Sequence, residues 1–230
     1  MRIYNASGVM QTGNKGQGNN SNYIHCSGLG QDLFNCTPRL DNCTALSAVL
    51  PAGSGLRVNF LVSPPYPIIL DEVSVFVTAT PVGVPEYWIT LGLYRNITRF
   101  SEQVSKLRMV CYPGELIAQS FEIPVTTQGK ISWKANVRLE PNKLYWLAYL
   151  PSRSNLSVRG VTAGGANCFP IYGIANALGT SPTWGYSAGV TAANALVRAT
   201  GLPESYPLVG VAQGTLQPCI FYRAIYAGGR

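Results

Sequence analysis

The stretch ISWKANVRLEPNKLYWLAYL, Ile131 to Leu150, decides the fold class because it contains two different strand patterns separated by a turn signal. From Ser132 polar and apolar residues alternate, which is typical of a strand with one buried and one solvated face. After Pro141 comes LYWLAYL, an apolar run that indicates a central strand covered on both sides. The stretch therefore predicts a β-rich core.

Short β-rich runs continue this pattern along the chain from Leu56. LRVNFLV, IILDEVSVFVTAT and YWITLGLY are rich in β-branched and aromatic residues, and CIFYRAIYAG supplies a last strand. Only SEQVSKLRMV and AANALVRAT give weak helical patterns. We therefore predict an all-β protein, a β-sandwich of jelly-roll type. The residues expected in its core are Val75, Val77, Leu91, Leu93, Ile117, Phe121, Ile123, Trp133, Val137, Tyr145 and Leu147.

Residues 1–55 differ from this pattern, since Gly, Asn, Ser and Thr dominate them. Such a segment cannot bury enough apolar surface to fold by itself. We expect an extended N-terminal arm that docks on a neighbouring subunit, and a β-sandwich domain over 56–230. A long Gly/Ala-rich loop at about 161–207 is expected either to be ordered by a neighbouring subunit or to form a functional surface. The apolar anchors of the arm would be Ile3, Val9, Leu33 and Phe34.

The composition suggests that much of the exterior meets other protein. Charged residues are 12% of the chain and hydrophobic residues 47%, whereas about 25% of an ordinary domain is charged. We therefore expect a homo-oligomer, either a trimer or a member of an array. The net charge of +7 arises mainly because acids are scarce, and the basic residues form no run, so nucleic acid is not an expected partner.

Features of export, membrane insertion and metal binding are not found in the sequence. There is no apolar core of a signal peptide, and no window is long enough for a membrane helix. The six cysteines lack C-x-x-C spacing, and His25 is the only histidine, so neither a metal nor a cofactor is expected. A disulfide among Cys26, Cys36 and Cys43 is left open.

Catalytic constellations are not found either, and we expect no enzyme and no catalytic residues. A nucleophilic triad would need His25, the only histidine, which lies in the poorly patterned arm. Asp71 and Glu72 are adjacent on a predicted strand, so they are expected to point to opposite faces and not to act as a pair.

Four ordered motifs carry a family resemblance: LGLY at 91–94, YPGELI at 112–117, LEPNKLYWLAY at 139–149 and VRG at 158–160. This series resembles the β-sandwich domains of virion proteins of tailed bacteriophages, over roughly residues 56–165. In it Pro113 and Gly114 are expected to form a turn between strands. The chain departs from the family by an insertion between Arg95 and Cys111, expected to be a surface loop.

The resemblance implies a virion location and other virion proteins as partners. The leading role is a component of the tail, fibre or adsorption apparatus that contacts a host surface polysaccharide. The alternatives are a capsid decoration protein and, from another class, a carbohydrate-binding module. The insertion holds a single acid, Glu102, so its cations are expected to dock on an acidic neighbour or an anionic polysaccharide. These partner-contact cations are Arg95, Arg99, Lys106 and Arg108.

Overall fold

The structure is a computed structural model that describes residues 3–4, 10–11, 35–37, 55–79, 87–103, 106–152, 156–162, 185–191, 201–207, 212–213 and 216–227. Side chains are described within 55–79, 87–98, 111–152, 156–160, 201–207 and 218–227. Regular structure in these residues is entirely β, as the sequence predicts. The strands are β1 Ile3–Tyr4, β2 Met10–Gln11, β3 Asn35–Thr37, β4 Gly55–Val62, β5 Ile68–Ala79, β6 Trp88–Gln103, β7 Lys106–Gln119, β8 Ile123–Pro124, β9 Gly129–Leu139, β10 Leu144–Pro151, β11 Ser157–Val158, β12 Gly160–Thr162, β13 Gly185–Thr191, β14 Ala212–Gln213, β15 Leu216–Pro218 and β16 Ile220–Tyr226.

Two antiparallel sheets pack face to face as a β-sandwich. Sheet I has the order β14-β13-β4-β10-β6-β7, and β8 also pairs with β6. In sheet II, β5 lies between β9 and β16, β16 pairs in turn with β3, and β11 pairs with the end of β5. The strands β4, β5, β6, β9 and β10 alternate between the sheets along the chain, and β7 and β8 join β6 in sheet I before β9. Two small pairs, β1 with β2 and β12 with β15, complete the described strands.

The main hydrophobic core lies between the two sheets. Leu91 and Leu93 of β6 and Leu147 of β10 pack in one cluster with Val73 and Val75 of β5, and all five are fully buried. Burial of one such side chain contributes about 1.5–3 kcal/mol to folding. Where the alternation of a strand is unbroken, every second residue faces this core.

Sheet I is also buried on its outer face, which explains why LYWLAYL is apolar throughout. Trp146, Ala148 and Leu150 point away from the main core and form a second cluster with Leu202 and Tyr206. The latter two belong to residues 201–207, here called the strap. The strap hydrogen-bonds to the edge strand β7 through its backbone, at distances of 2.7 and 2.9 Å.

The predicted core is confirmed for its central members and wrong at its margin. Val75, Val77, Leu91, Leu93, Tyr145 and Leu147 are buried. Ile117, Ile123, Trp133 and Val137 pack against the core but are only partly buried, because they lie in β7, β8 and β9 at the open side of the sandwich. Phe121 is 62% exposed, since it follows the end of β7 with a φ of 56°, where strand alternation no longer applies.

Pro113 and Gly114 do not form the predicted turn. Both lie inside the continuous strand β7, where the register against β6 shifts around Tyr94. Pro and Gly are tolerated in a strand at such a bulge. Gly114 is needed because a Cβ there would come within 2.5 Å of Ile97 Cγ2, and not because of a positive φ.

The predicted loop at about 161–207 contains ordered segments that contact their own chain. Strand β13 pairs with β4 and extends sheet I, and the strap packs on the outer face of that sheet. The remainder of this stretch lies outside the described residues, as does AANALVRAT.

Candidate functional site

A long two-stranded ribbon formed by β6 and β7 contains the four predicted contact cations. Strand β10 pairs with β6 only as far as Arg95. Beyond this point Asn96–Gln103 pairs with Lys106–Pro113 alone, among the strands that the structure describes. Eight residues of strand extend about 26 Å at 3.3 Å per residue. The ribbon therefore continues sheet I well past its neighbours.

The local structure of this segment differs from the expected loop with a weak helical turn. Ser101–Gln103 and Lys106–Val110 are strand residues paired across the hairpin. The β-branched and aromatic residues Ile97, Thr98, Phe100 and Val110 favour this geometry. The helical pattern was wrong because it spanned the hairpin tip and combined residues of two strands.

The backbone register of the hairpin determines on which face of the ribbon each cation position lies. Arg99 lies opposite Val110, and Arg108 lies opposite Ser101. Residues directly opposite each other share a face, and so do residues two apart on one strand. Positions 95 and 99 of β6 and positions 106 and 108 of β7 therefore lie on one face of the ribbon. Arg95 is exposed. Partner contact by these residues stays a prediction.

The root of the ribbon is fixed to the body of the sandwich. Asn96 Oδ1 accepts a 3.0 Å hydrogen bond from Trp146 Nε1, and the Trp146 ring is fully buried. Cys111 on the partner strand is also buried, in the cluster under the strap. The ribbon is thereby oriented by contacts on its own chain.

Most of the predicted arm anchors lie outside the described residues. Val9, Leu33 and Phe34 are in this group, whereas Ile3 lies in β1 opposite Gln11 of β2. One further part of the arm is described: β3 adds to the edge of sheet II beside β16. Docking of the arm on a neighbouring subunit stays a prediction. The three residues of β3, however, pair within their own chain.

A group of charged side chains lies on the outer face of sheet II, where Asp71 and Glu72 point to the same side. The expectation of opposite faces is wrong because a β-bulge interrupts the alternation. The register with β16 passes from Arg223–Glu72 directly to Ala224–Leu70, which leaves Asp71 as an extra residue. Strand β9 also shifts register here, between its pairs with Leu70 and Glu72. A bulge gives no periodic signal, so alternation alone missed this pair.

Three cations neutralise the two carboxylates. Arg223 donates from Nε to Asp71 Oδ2 at 2.7 Å, and its Nη2 contacts the same oxygen and, at 3.1 Å, Glu72 Oε2. Lys130 lies 2.7 Å from Glu72 Oε1, and Lys134 lies 3.5 Å from both carboxylates. We call these five residues the outer-face cluster.

The charge state of Glu72 follows from this environment. Burial of the side chain, which is 8% exposed, acts to raise its pKa. Hydrogen bonds from Lys130 and Ser132, with the charges of Lys130 and Arg223, outweigh burial and lower the pKa below its ordinary value. Glu72 is therefore ionised at neutral pH and cannot serve as a general acid there.

Other chemistry receives no support from the described parts of the chain. They contain no group of three His, Cys, Asp or Glu side chains that could hold a metal ion. They also contain no helix long and apolar enough to span a membrane. Cys111 and Cys219 are buried thiols without a disulfide. Cys26 and Cys43 lie outside the described residues.

Comparison with known proteins adds no family assignment. No family model matches the chain, and no curated protein sequence matches it.

Proposed function

We propose that this chain is a structural protein of a tailed-bacteriophage virion, in the tail, fibre or adsorption apparatus. The observation that carries the proposal is the β6–β7 ribbon, whose four cation positions share one face, three of them beyond the edge of the sandwich. A ribbon of this kind reaches a neighbouring subunit without disturbing the core. Its partner would be an acidic surface of another virion protein.

The motifs of the family resemblance support the same role. LGLY lies in β6, YPGELI in β7 and the YWLAY sequence in β10, which are successive neighbours in sheet I. Their residues pack partly in the main core, as Leu93 and Leu147 do, and partly in the second cluster, where the Tyr94 hydroxyl donates a 2.9 Å hydrogen bond to the strap at Pro203 O. Three of the four motifs thus lie in neighbouring strands of one sheet, whereas VRG lies at β11 and β12, outside that sheet.

The low content of charge supports assembly into a larger particle. Only ten acids and seventeen Lys or Arg residues occur in 230 residues, so most of the exterior is uncharged. Such surfaces suit contacts with other subunits. We propose a homo-oligomer or array member. A capsid decoration protein is the alternative, since a basic ribbon would serve equally to hold neighbouring capsid subunits.

The test uses purified virions of a phage that encodes the chain. Quantitative mass spectrometry should find the chain in the particles, and its copy number separates the two positions. A copy number that fits a few symmetric rings indicates the tail. A copy number similar to that of the capsid subunits indicates capsid decoration. A chain missing from purified virions overturns the proposal.

Incorporation of a ribbon variant tests the docking element. Thr98 and Cys111 lie directly opposite each other, so Arg99–Val110 can be replaced by Asn-Gly, a two-residue hairpin turn. This variant should fold and fail to enter particles. The matched control keeps the full length of the ribbon but removes three of its positive charges. It combines Arg99→Gln, Lys106→Gln and Arg108→Gln. Normal incorporation of both variants would contradict docking through the ribbon.

A further inference from the structure

An open depression on the outer face of sheet II lies beside the outer-face cluster, away from the ribbon. Asp71, Lys134, Arg223 and Ile225 line it, and its volume is about 320 Å³. Small-molecule sites commonly begin at about 300 Å³ and combine apolar walls with a few placed polar groups. Three of its four lining residues are charged and Ile225 is its only apolar one, so a ligand here would be held mainly by polar contacts.

One carboxylate oxygen of Asp71, Oδ1, takes no part in the ion pairs. All contacts of this carboxylate use Oδ2, which receives Arg223 and Lys134. Among the described residues no donor contacts Oδ1, although a carboxylate oxygen has two lone pairs to offer. The Asp71 side chain is 25% exposed, so a ligand can reach this acceptor.

Lys134 supplies a donor next to this acceptor. Its side chain is 67% exposed, and its two contacts with the carboxylates are long, at 3.5 Å. An ammonium group has three N–H donors, so at least one remains for a ligand. Arg223, by contrast, is held by both carboxylates and fixes the orientation of Asp71. The site therefore presents a fixed acceptor and an adjustable donor side by side.

We propose that this depression is a binding site for a neutral saccharide. Each hydroxyl of a sugar both donates and accepts a hydrogen bond, so two neighbouring hydroxyls match Asp71 Oδ1 and Lys134 Nζ. Hydrogen bonds to ionised groups are stronger than those between neutral groups. Ile225 would pack against the C–H face of the ring. The site gives the proposed virion protein a contact with host glycan, and its test does not depend on that role.

The same geometry disfavours other ligands. The outer-face cluster holds three cations and two carboxylates, but a phosphate or carboxylate ligand on Lys134 would lie beside the Asp71 carboxylate, which lines the same depression. A metal cation would compete with Lys130, Lys134 and Arg223, which already neutralise both carboxylates.

Saturation-transfer NMR on the full chain tests this site. The probes are D-glucose, D-galactose, D-mannose and N-acetyl-D-glucosamine, each at about 10 mM because single sugars bind in the millimolar range at best when few contacts form. At least one should give a signal. Lys134→Met keeps the side-chain length and removes the donor, so the dissociation constant should rise about tenfold.

The control variant is Lys143→Met, another exposed lysine, in the turn before β10. It should bind as the parent does. Absence of a signal from all four sugars, or equal affinity in Lys134→Met, overturns the proposal. Binding of inorganic phosphate at this site in preference to sugar would overturn it too, as an anion site. A chain missing from virions would refute the virion role and leave the sugar titration unaffected.

Discussion

Leu202 of the strap packs directly on Gly92 of β6. A Cβ built at position 92 would overlap Leu202 Cδ1 and would also lie 3.2 Å from the carbonyl oxygen of Ala118. The close approach lets Leu202 reach the second cluster, in which it is 2% exposed. The Leu202 amide also donates a 2.6 Å hydrogen bond to Gln119 Oε1. The glycine in LGLY thus serves a contact with a segment 110 residues away in the sequence.

Gly92→Ala should therefore lower the free energy of unfolding by about 1–3 kcal/mol, the usual cost of overpacking. Urea unfolding measures this loss. The matched control is a double-mutant cycle with Leu202→Ala, which removes the overlapping atom. In that background the alanine at position 92 should cost clearly less. Equal costs in the two backgrounds would show that the strap does not press on Gly92.

Trp133→Ala should cost about 2 kcal/mol, less than the 3–5 kcal/mol usual for a fully buried tryptophan. Trp133 is only partly buried because β9 pairs with β5 alone among the described strands. Leu147→Ala, in the fully buried centre, should cost about 2–5 kcal/mol. Urea unfolding of the two variants gives the comparison. A loss above about 4 kcal/mol at Trp133 would mean that the open side of the sandwich is covered in solution.

Acid should weaken the fold through Glu72. Its pKa in the folded protein is lower than the ordinary value of 4.5, so its contribution is complete above that pH and is lost as pH falls through the folded pKa. The free energy of unfolding, measured from about pH 6 down to pH 3, should fall more in the parent than in Glu72→Gln. Glu115→Gln, at an exposed position of β7, is the control and should follow the parent. Parallel curves for Glu72→Gln and the parent would contradict the role assigned to the ion pairs.

The sequence predicts the β-sandwich and its central core because alternation is a local signal. Val75 and Leu147 are placed correctly, since each lies in a central strand with a neighbour on both sides. Trp133 shows the same alternation on an edge strand. Alternation indicates which face of a strand a residue lies on, but not how far the strand lies from the edge of the sheet. The partial exposure of Trp133 could therefore not be predicted from the sequence.

The parts that sequence reasoning missed depend on register between distant strands. The bulge at Asp71 is set by pairing with β16, about 150 residues away, and no local pattern marks it. Gly114 reads as a turn residue because of the preceding proline, although tertiary pairing keeps the strand continuous. The four ribbon cations were found from charge alone, but only the register of β6 against β7 places their positions on one face.

Removal of the arm should separate its two roles. A chain that begins at Pro51 retains β4 and all central strands, and it loses β3, whose three residues pair with Ile220, Phe221 and Tyr222 of β16. The sandwich should stay folded with a loss of about 2 kcal/mol, since a few backbone hydrogen bonds contribute roughly 1 kcal/mol each. Circular dichroism and urea unfolding measure this, and the truncated chain should fail to enter particles.

The control variant keeps the arm and carries both Asn35→Pro and Cys36→Pro. Proline has no amide hydrogen to donate, so the pair of substitutions removes the hydrogen bond to β16 whichever of the two amides faces that strand. This variant should lose the same stability and still enter particles. Normal incorporation of the truncated chain, or its failure to fold, would contradict an arm that docks on another subunit.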